Sequence, residues 1–361
     1  MDRTPGGAQT RSKQEGVFGL GPRYVQAAIN QHVTVEGRDY VDWIAALAAV
    51  GLGYDWHTVG ALTPYPLPTR REGEVAAELM EAVRFGDQVR WVTTGSEGTL
   101  AAMMLARRVT GRRKVVSLGY HGWHEAHLPG RDVVALPIGA RSYAETVIDG
   151  GTAAVIIEVL RNEGRKDDAR IAAEVEMLHD AARRVGALVI HDEIVTGFRW
   201  AVGGAREYLG LGVPDLAVYG KAMSNGFPIA AVVGPRYLMS HAHGISSTYG
   251  GWPPALEAVS QTIRVYKERG VVEHMWTLGQ RLLTQCPGIL AGYPVHPVFV
   301  ATKDYTTSEA ALPYVKKAAE AGHLVHPSGF NIMLAHSEQD VDELSAAFGG
   351  ISPASEASTP R

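Results

Sequence analysis

Two groups able to do chemistry together stand at the ends of two short apolar runs. Ala187 to Ile190 runs into His191-Asp192-Glu193, and Leu216 to Tyr219 runs into Gly220-Lys221. Short apolar runs with polar boundaries read as buried parallel strands, and open α/β sheets place their sites beyond the carboxyl ends of such strands. A carboxylate at one strand end and an ammonium at the next imply one pocket holding a charged pair. An apolar strand followed by Asp-Glu also suits a P-loop nucleotide hydrolase, but that chemistry needs Gly-x-x-x-x-Gly-Lys-Ser/Thr. Here Asp215 stands where the first glycine belongs and Ala222 where the Ser or Thr belongs, so the loop is not built. The competing reading is a lysine that forms a Schiff base with pyridoxal 5'-phosphate (PLP), with an acid partner for the pyridinium nitrogen.

The elements that must position this pair are legible on both sides of it. Glu72 to Arg84 is helical in pattern and Val89 to Thr93 is a short strand. Thr94-Gly95-Ser96-Glu97-Gly98-Thr99 then opens a helix over Leu100 to Val109, with Gly111 as its stop. A small-residue turn at a helix start offers free N–H groups and the positive dipole end, which suits a phosphate; alone it is also an ordinary capped helix. Lys114 to Ser117, Asp132 to Leu136 and Ala153 to Ile157 are further strands, the last ending at Glu158. Ile171, Val175, Leu178 and Ala182 repeat at helical spacing and Gly186 closes that helix. Strands and helices in this order predict a mostly parallel sheet covered by helices. Gln31 to Ala49 alternates and then turns apolar, with a hairpin turn expected at Gly37-Arg38-Asp39. Ala255 to Arg269, Val271 to Leu283 and Asp340 to Phe348 read as helices, with short strands near Val298. Residues 1–16 are polar with a Pro5-Gly6-Gly7 turn signal, and the Ser/Ala/Pro-rich residues 351–361 read as a disordered tail.

Asp192-Glu193-Ile194-Val195-Thr196-Gly197-Phe198-Arg199, with Lys221 after it, resembles class III aminotransferases of PLP fold type I, in the branch of glutamate-1-semialdehyde aminomutase. Gly203-Gly204-Ala205-Arg206-Glu207-Tyr208 and Pro214-Asp215-Leu216 resemble the same branch. The resemblance covers residues 6–253 and weakens beyond them. It implies an α/β fold: a large domain with a mostly parallel, seven-stranded sheet and a small α/β domain drawn from both termini. The expected division is 1–60 for the N-terminal segment and part of the small domain, 61–261 for the large PLP-binding domain, and 262–350 for the C-terminal small domain. The resemblance also assigns roles. Lys221 carries the cofactor and Asp192 holds its ring nitrogen. Ile194 and Tyr120 cover the two ring faces, while Gly95 and Ser96 cup the phosphate. Glu158 is a further cofactor contact. Thr248, in Ser246-Ser247-Thr248-Tyr249-Gly250-Gly251, matches a threonine that reaches the phosphate of a partner subunit, which implies a homodimer with shared sites.

The chain departs from the family at several places. Gly98 replaces the usual alanine, Val159 replaces the proline after Glu158, and Asn162 lies one residue nearer Glu158 than the family's asparagine. In Pro5-Gly6-Gly7-Ala8-Gln9-Thr10-Arg11-Ser12-Lys13, Thr10 and Lys13 fall where the aminomutase holds its substrate with a Ser and an Arg. Lysine is a point charge where arginine is a two-pronged carboxylate clamp. Thr10, Lys13 and Asn162 are therefore candidate substrate contacts for a changed substrate. The expected reaction is transamination between an amine donor and an aldehyde or ketone acceptor. The intramolecular 2,1-aminomutase is the alternative, and racemases and decarboxylases share the same core residues. Gly220 to Pro228 resembles aminotransferase-like proteins of sugar or specialised metabolism, which raises a keto-sugar acceptor.

Bulk properties fit an enzyme of this size. The chain has 361 residues, 46% hydrophobic and 20% charged, an ordinary globular composition with room for two domains. A net charge of −4 gives no basic excess for nucleic acid. One cysteine, Cys286, excludes an intrachain disulfide and suits a reducing compartment. No apolar stretch is long enough to cross a bilayer and no secretory core leads the chain, so a cytoplasmic protein is expected. His121, His124 and His127 raise a metal reading, but Gly122 makes a poor helix of them and no fourth ligand stands out. No metal is expected. A PLP-fold protein kept for binding alone would commonly lose the lysine or gain a basic extension, and this chain does neither.

Overall fold

The alternation of Val33, Val35, Tyr40 and Val41 builds the first sheet. In the computed structural model, which describes residues 25–56, 69–137, 141–160, 167–300 and 309–349, strands β1 (Val25–Ile29), β2 (His32–Val35) and β3 (Arg38–Asp42) form an antiparallel meander. Val33 and Val35 are buried while Thr34 turns outward and bonds to Asp39. The expected turn at Gly37-Arg38-Asp39 is displaced. The loop is the pair Glu36-Gly37, both left-handed at φ 52° and 79°, and Arg38 already belongs to β3. Two positive-φ residues are what a tight hairpin requires.

Past β3 the backbone does something the sequence does not announce. Ala45, Ala46, Leu47 and Ala48 lie in succession at φ 51°, 49°, 60° and 69°, a left-handed turn. Left-handed helical geometry costs about 1–2 kcal/mol per residue. Asp42 anchors its entrance, accepting from Ile44 N at 2.8 Å, Ala45 N at 3.2 Å and the Tyr54 hydroxyl at 2.6 Å. Trp43, fully buried, stacks on His336 at 3.9 Å and donates its indole N–H to His323 at 3.2 Å.

The middle of the chain forms a second unit. It comprises α1 (Arg70–Val83), β4 (Gln88–Val92), α2 (Gly95–Thr110), β5 (Lys114–Leu118), β6 (Val133–Ala135), α3 (Arg141–Val147), β7 (Thr152–Glu158), α4 (Asp168–Val185), β8 (Leu188–Asp192), α5 (Ala205–Leu209), β9 (Leu216–Tyr219), β10 (Ala230–Gly234), α6 (Arg236–Met239) and α7 (Pro253–Arg269). The seven strands lie in the order β4-β10-β9-β8-β7-β5-β6. All pairs are parallel except those made by β10, which runs against both neighbours. β7 is buried along its whole length, as a central strand covered on both faces must be. Ala101, Ala102, Leu105 and Ala106 of α2 pack on Ala154, Ile156, Ile190, Leu216 and Val218 of one sheet face. Asp215 ties β9 to β8 by accepting from Val189 N at 2.7 Å.

The terminal unit is completed by α8 (Val271–Gln285) from Glu273 onward, β11 (Leu290–Tyr293), β12 (His296–Phe299), α9 (Leu312–Glu320), β13 (His323–Leu324) and α10 (Glu338–Phe348). β13 joins the meander by pairing parallel to β3. Within this unit Phe299, Tyr314, Phe330 and Phe348 form one aromatic cluster. The middle unit runs on to Val272, so α7 lies wholly inside it and the expected boundary at 261 cuts through that helix. Among the described residues no helix is long and apolar enough to cross a membrane. Thr10, Lys13, Asn162 and residues 351–361 lie outside the described residues.

Candidate active site

Three parallel strands deliver three charged groups at one edge. β7 ends at Glu158, β8 at Asp192, and Lys221 follows β9 by two residues. Glu158 and Asp192 are direct register partners, so two buried carboxylates stand side by side, 7% and 5% exposed. Lys221 is at φ 47°, in the left-handed region that a lysine rarely adopts. Strain of this kind persists only where the surroundings over-determine it. Gly220 before it is extended, and the short 3-10 turn Lys221–Ser224 follows. Burial lowers the Lys221 ammonium below its ordinary pKa, and the Asp192 and Glu158 carboxylates oppose that shift. Burial likewise raises Glu158, helped by the neighbouring Asp192 charge. Carboxylates near enough to oppose the lysine's neutralisation place all three groups in one electrostatic neighbourhood.

Asp192 is held by hydrogen bonds from two other residues. Its Oδ2 lies 2.8 Å from Nδ1 of His121, itself 5% exposed, and its Oδ1 accepts from Ile194 N at 3.2 Å. Glu158 Oε2 accepts from Tyr120 N at 3.0 Å. The turn after β5, Tyr120-His121-Gly122, is thus pinned to both acids. Tyr120 keeps its ring in solvent, 63% exposed, available as a flat surface.

The start of α2 supplies the other half. Thr94 caps it, accepting from Glu97 N, while Glu97 reaches back to Thr93 N and Thr94 N. Gly95 and Ser96 occupy the first two helical positions, whose N–H groups have no intrahelical partner. A Cβ at Gly95 would lie 2.8 Å from Ile194 Cδ1, so any larger residue there pushes the end of that side chain aside. Gly122, at φ 137°, brings the β5 turn against the same place, since its Cβ would meet Ser96 Oγ at 2.7 Å. Gly95, Ser96, Ile194, Tyr120, Glu158, Asp192 and Lys221 are therefore linked by contacts, by register or by electrostatic reach. Thr248 is exposed, in a loop whose neighbours Ser247 and Gly250 rest on Thr93 and on the Trp91 carbonyl. That loop borders a cavity of about 430 Å³ lined by Glu72, Arg90, Trp91, Arg236, Ser246 and Ser247, which holds none of the other site residues.

The sequence reading weighed His121 and His127 only as metal ligands and gave Thr99 and Glu193 no role of their own. Glu193, 1% exposed, turns away from Asp192 and caps α5, accepting from Ala205 N at 2.7 Å, Arg206 N at 3.0 Å and the Thr196 hydroxyl. Burial raises its carboxyl to about 7 against the pull of those donors. The three histidines after β5 do not line one helical face. His121 turns to Asp192, only Glu125–His127 is helical, and His127 turns to Thr99. The signal for His121 was its place, directly after a strand end two strands away from Asp192. The assembled groups suit a ligand with an anionic phosphate, a flat ring bearing a basic nitrogen, and a carbonyl that a low-pKa amine can capture.

Comparison with known proteins narrows this chemistry. Residues 138–337 match the class-III aminotransferase family. A glutamate-1-semialdehyde 2,1-aminomutase of Methylacidiphilum infernorum is 28% identical, over 94% of this chain and 92% of that protein. Its namesake from Methanocaldococcus jannaschii is 30% identical over 69% of this chain and 67% of its own length. Among solved structures, an omega-transaminase from Sphaerobacter thermophilus superposes with a TM-score of 0.81 at 21% identity, covering 96% of this chain and 93% of that one. The Sphingopyxis sp. MTA144 FumI protein, solved in its PLP internal aldimine form, gives a TM-score of 0.84 at 23% identity, with 97% and 96% coverage. With more than half its length matching and the strand-end lysine and acids in place, the chain belongs to the class-III aminotransferases, a PLP-dependent family.

Proposed function

We propose that this chain is a PLP-dependent aminotransferase that moves an amino group between two separate molecules. The observation that carries the reading is the buried Asp192, bonded to His121, in the electrostatic neighbourhood of a Lys221 whose charged form burial disfavours. When bound, PLP supplies an electron sink for negative charge at the substrate carbon. The chain's residues fit that group. Lys221 would hold it covalently, and its Nζ would serve as a base because burial disfavours its charged form. Asp192 would keep the ring nitrogen protonated, and its geometry is fixed by His121 and Ile194 N. Gly95 and Ser96 would take the phosphate on their N–H groups. Ile194 and Tyr120 would bound the ring. Glu158 acts through Tyr120 N, which it holds in place. Thr10, Lys13 and Asn162 remain proposed substrate contacts.

Transfer between molecules is preferred because Lys13 stands where the aminomutase holds its substrate with an arginine. The aminomutase is the second reading, favoured by relatives of that name that align with 94% of the chain. Incubation of the PLP-loaded enzyme with a 15N-labelled amine and a panel of ketoacids and keto-sugars separates the two. Label appearing in the carbonyl partner is the expected result. Nitrogen that moves only within one molecule would establish the mutase. Absence of a borohydride-sensitive visible band in the PLP-treated wild type, or its survival in Lys221→Ala, would refute both.

We further propose a homodimer in which Thr248 serves the partner's site. Mixed Lys221→Ala and Thr248→Val subunits should then recover activity that neither variant has alone. Failure to recover it in proven mixed dimers refutes shared sites.

A further inference from the structure

Thr99 sits in the second turn of α2 and is fully buried. Its single hydroxyl lies 3.2 Å from Gly95 O, 3.2 Å from Ser96 O, 2.5 Å from His121 O and 3.0 Å from His127 Nε2. A threonine inside a helix ordinarily spends its proton on the carbonyl one turn back. Here the shortest contact leaves the helix for the His121 carbonyl. We propose that Thr99 and His127 are positioning residues that lock the His121-Gly122 turn to the first turn of α2, and so fix Asp192 relative to Gly95 and Ser96. The inference rests on the reading of these residues as a PLP site.

Proton inventory gives the lock a direction. A hydroxyl donates one hydrogen and accepts through two lone pairs. If Thr99 donates to His121 O, it faces His127 as an acceptor, so Nε2 of His127 carries the hydrogen. Nδ1 of His127 is buried and makes no hydrogen bond of ordinary geometry, although the ring feels the His124 backbone carbonyl. Burial holds this imidazole neutral, with its pKa lowered to about 4. The same logic fixes His121. Its Nδ1 donates to Asp192 Oδ2 at 2.8 Å, and its buried Nε2, without a partner, is the lone pair. Hydrogens therefore point from His127 to Thr99 to the His121 carbonyl, and from the His121 ring to Asp192. Gly122 closes the assembly. A Cβ on it would lie 2.7 Å from Ser96 Oγ and 2.9 Å from His127 Cε1, so the turn is wedged between the two residues it joins. One turn thus couples the phosphate end of the site to its ring-nitrogen end.

The test compares Thr99→Val, which keeps the shape and deletes the hydroxyl, with Thr99→Ser, which keeps the hydroxyl, and with His127→Leu. In the PLP-loaded proteins we expect Thr99→Val and His127→Leu each to weaken PLP retention about tenfold, one neutral hydrogen bond's worth. Both should shift the pH titration of the visible band. Thr99→Ser should restore both properties, and the Thr99→Val/His127→Leu double variant should be no worse than either single. Lowered melting temperature with unchanged retention and titration would reduce Thr99 to a packing residue and overturn the proposal. So would fully additive single effects. In apo-protein labelled with 15N-histidine, His127 should appear as the Nε2–H tautomer and His121 as Nδ1–H, with the His127 signal displaced in Thr99→Val. The opposite tautomers would refute the lock even if the wild type bound no PLP, so this failure is distinct from failure of the PLP reading.

Discussion

Gly98→Ala should destabilise this protein although the family commonly carries alanine there. A Cβ at 98 would lie 2.7 Å from Val218 Cγ1, with Ala230 Cβ at 3.6 Å and Val92 Cγ2 at 3.7 Å. Carbon atoms pack best at about 3.5–4.0 Å, so one contact is short by roughly 1 Å while the other two are ordinary. Alanine gains about 1 kcal/mol over glycine inside a helix. Overpacking a filled core costs about 1–3 kcal/mol. The net expectation is a loss of about 1 kcal/mol. Val218 cannot yield freely. It sits opposite Asp192 in the β8–β9 register, its carbonyl accepts from Glu193 N at 2.9 Å, and Lys221 follows shortly after on the same strand end. Displacing it disturbs both proposed catalytic groups, so PLP retention should fall along with stability. Val218→Ala alone removes two buried methyls and should cost about 1.5–2.5 kcal/mol. In that background Gly98→Ala meets no clash, gains its helix propensity and refills part of the space, so it should become stabilising by about 1 kcal/mol. The cycle, read from urea midpoints of the four apo-proteins at constant slope, should show a coupling of about 2 kcal/mol. Single effects that add to within about 0.5 kcal/mol would refute the packing argument.

The remaining predictions concern charge and covalent attachment. Lys221→Ala should remove the borohydride-sensitive band and all turnover while PLP still binds reversibly, which dialysis can measure; a persistent band refutes Lys221 as the attachment point. Glu193, raised from 4.5 to about 7, makes the folded state bind more protons than the unfolded chain between those values, so its contribution falls as pH rises through that window. The fall is about 3 kcal/mol, and Glu193→Gln, melted from pH 4.5 to 8, should lack it. His127, lowered from 6.5 to about 4, acts with the opposite sign: the unfolded chain binds the extra proton, so stability is lost as pH falls from 6.5 toward 4. His127→Gln should retain more of its stability at pH 5 than the wild type does, and an unchanged acid limb would refute a buried neutral imidazole.

Much of the fold could be read before any coordinates. The strands carrying Glu158, Asp192 and Lys221 have apolar runs bounded by glycine and charge, and such runs have few alternatives. The helix expected from Leu100 begins at Gly95 behind its cap Thr94, and the one expected from Asp340 begins at Glu338 behind Ser337; both cap side chains accept from backbone N–H groups three residues on. What stayed hidden is what sequence distance hides. Asp42 bonds to Tyr54 and to its own following turn, and that convergence helps to hold the left-handed run Ala45–Ala48 against the right-handed preference of alanine. Thr99 and His127 look like an ordinary helix residue and a loop histidine until β5 places its turn between them.

The site shows the same limit at its most compact, in three successive residues. His191, Asp192 and Glu193 are all buried, all ionisable and adjacent in the chain. Strand alternation sends His191 to the opposite sheet face from Asp192, where its Nε2 lies 2.8 Å from His179 Nε2 of α4. One such contact holds a single hydrogen, and burial lowers both imidazoles, so this pair is neutral structure. Asp192 meets a ring N–H, a backbone N–H and the field of Lys221, a setting built for a carboxylate. Glu193 also accepts hydrogen bonds, yet it lies where burial outweighs them and its carboxyl is raised to about 7. Its work is to cap α5. A motif gives the residue types of such a triplet. The division into a packing pair, an acid bonded to a buried imidazole and a helix cap is decided by partners that lie 12 residues away in one case and 71 in another.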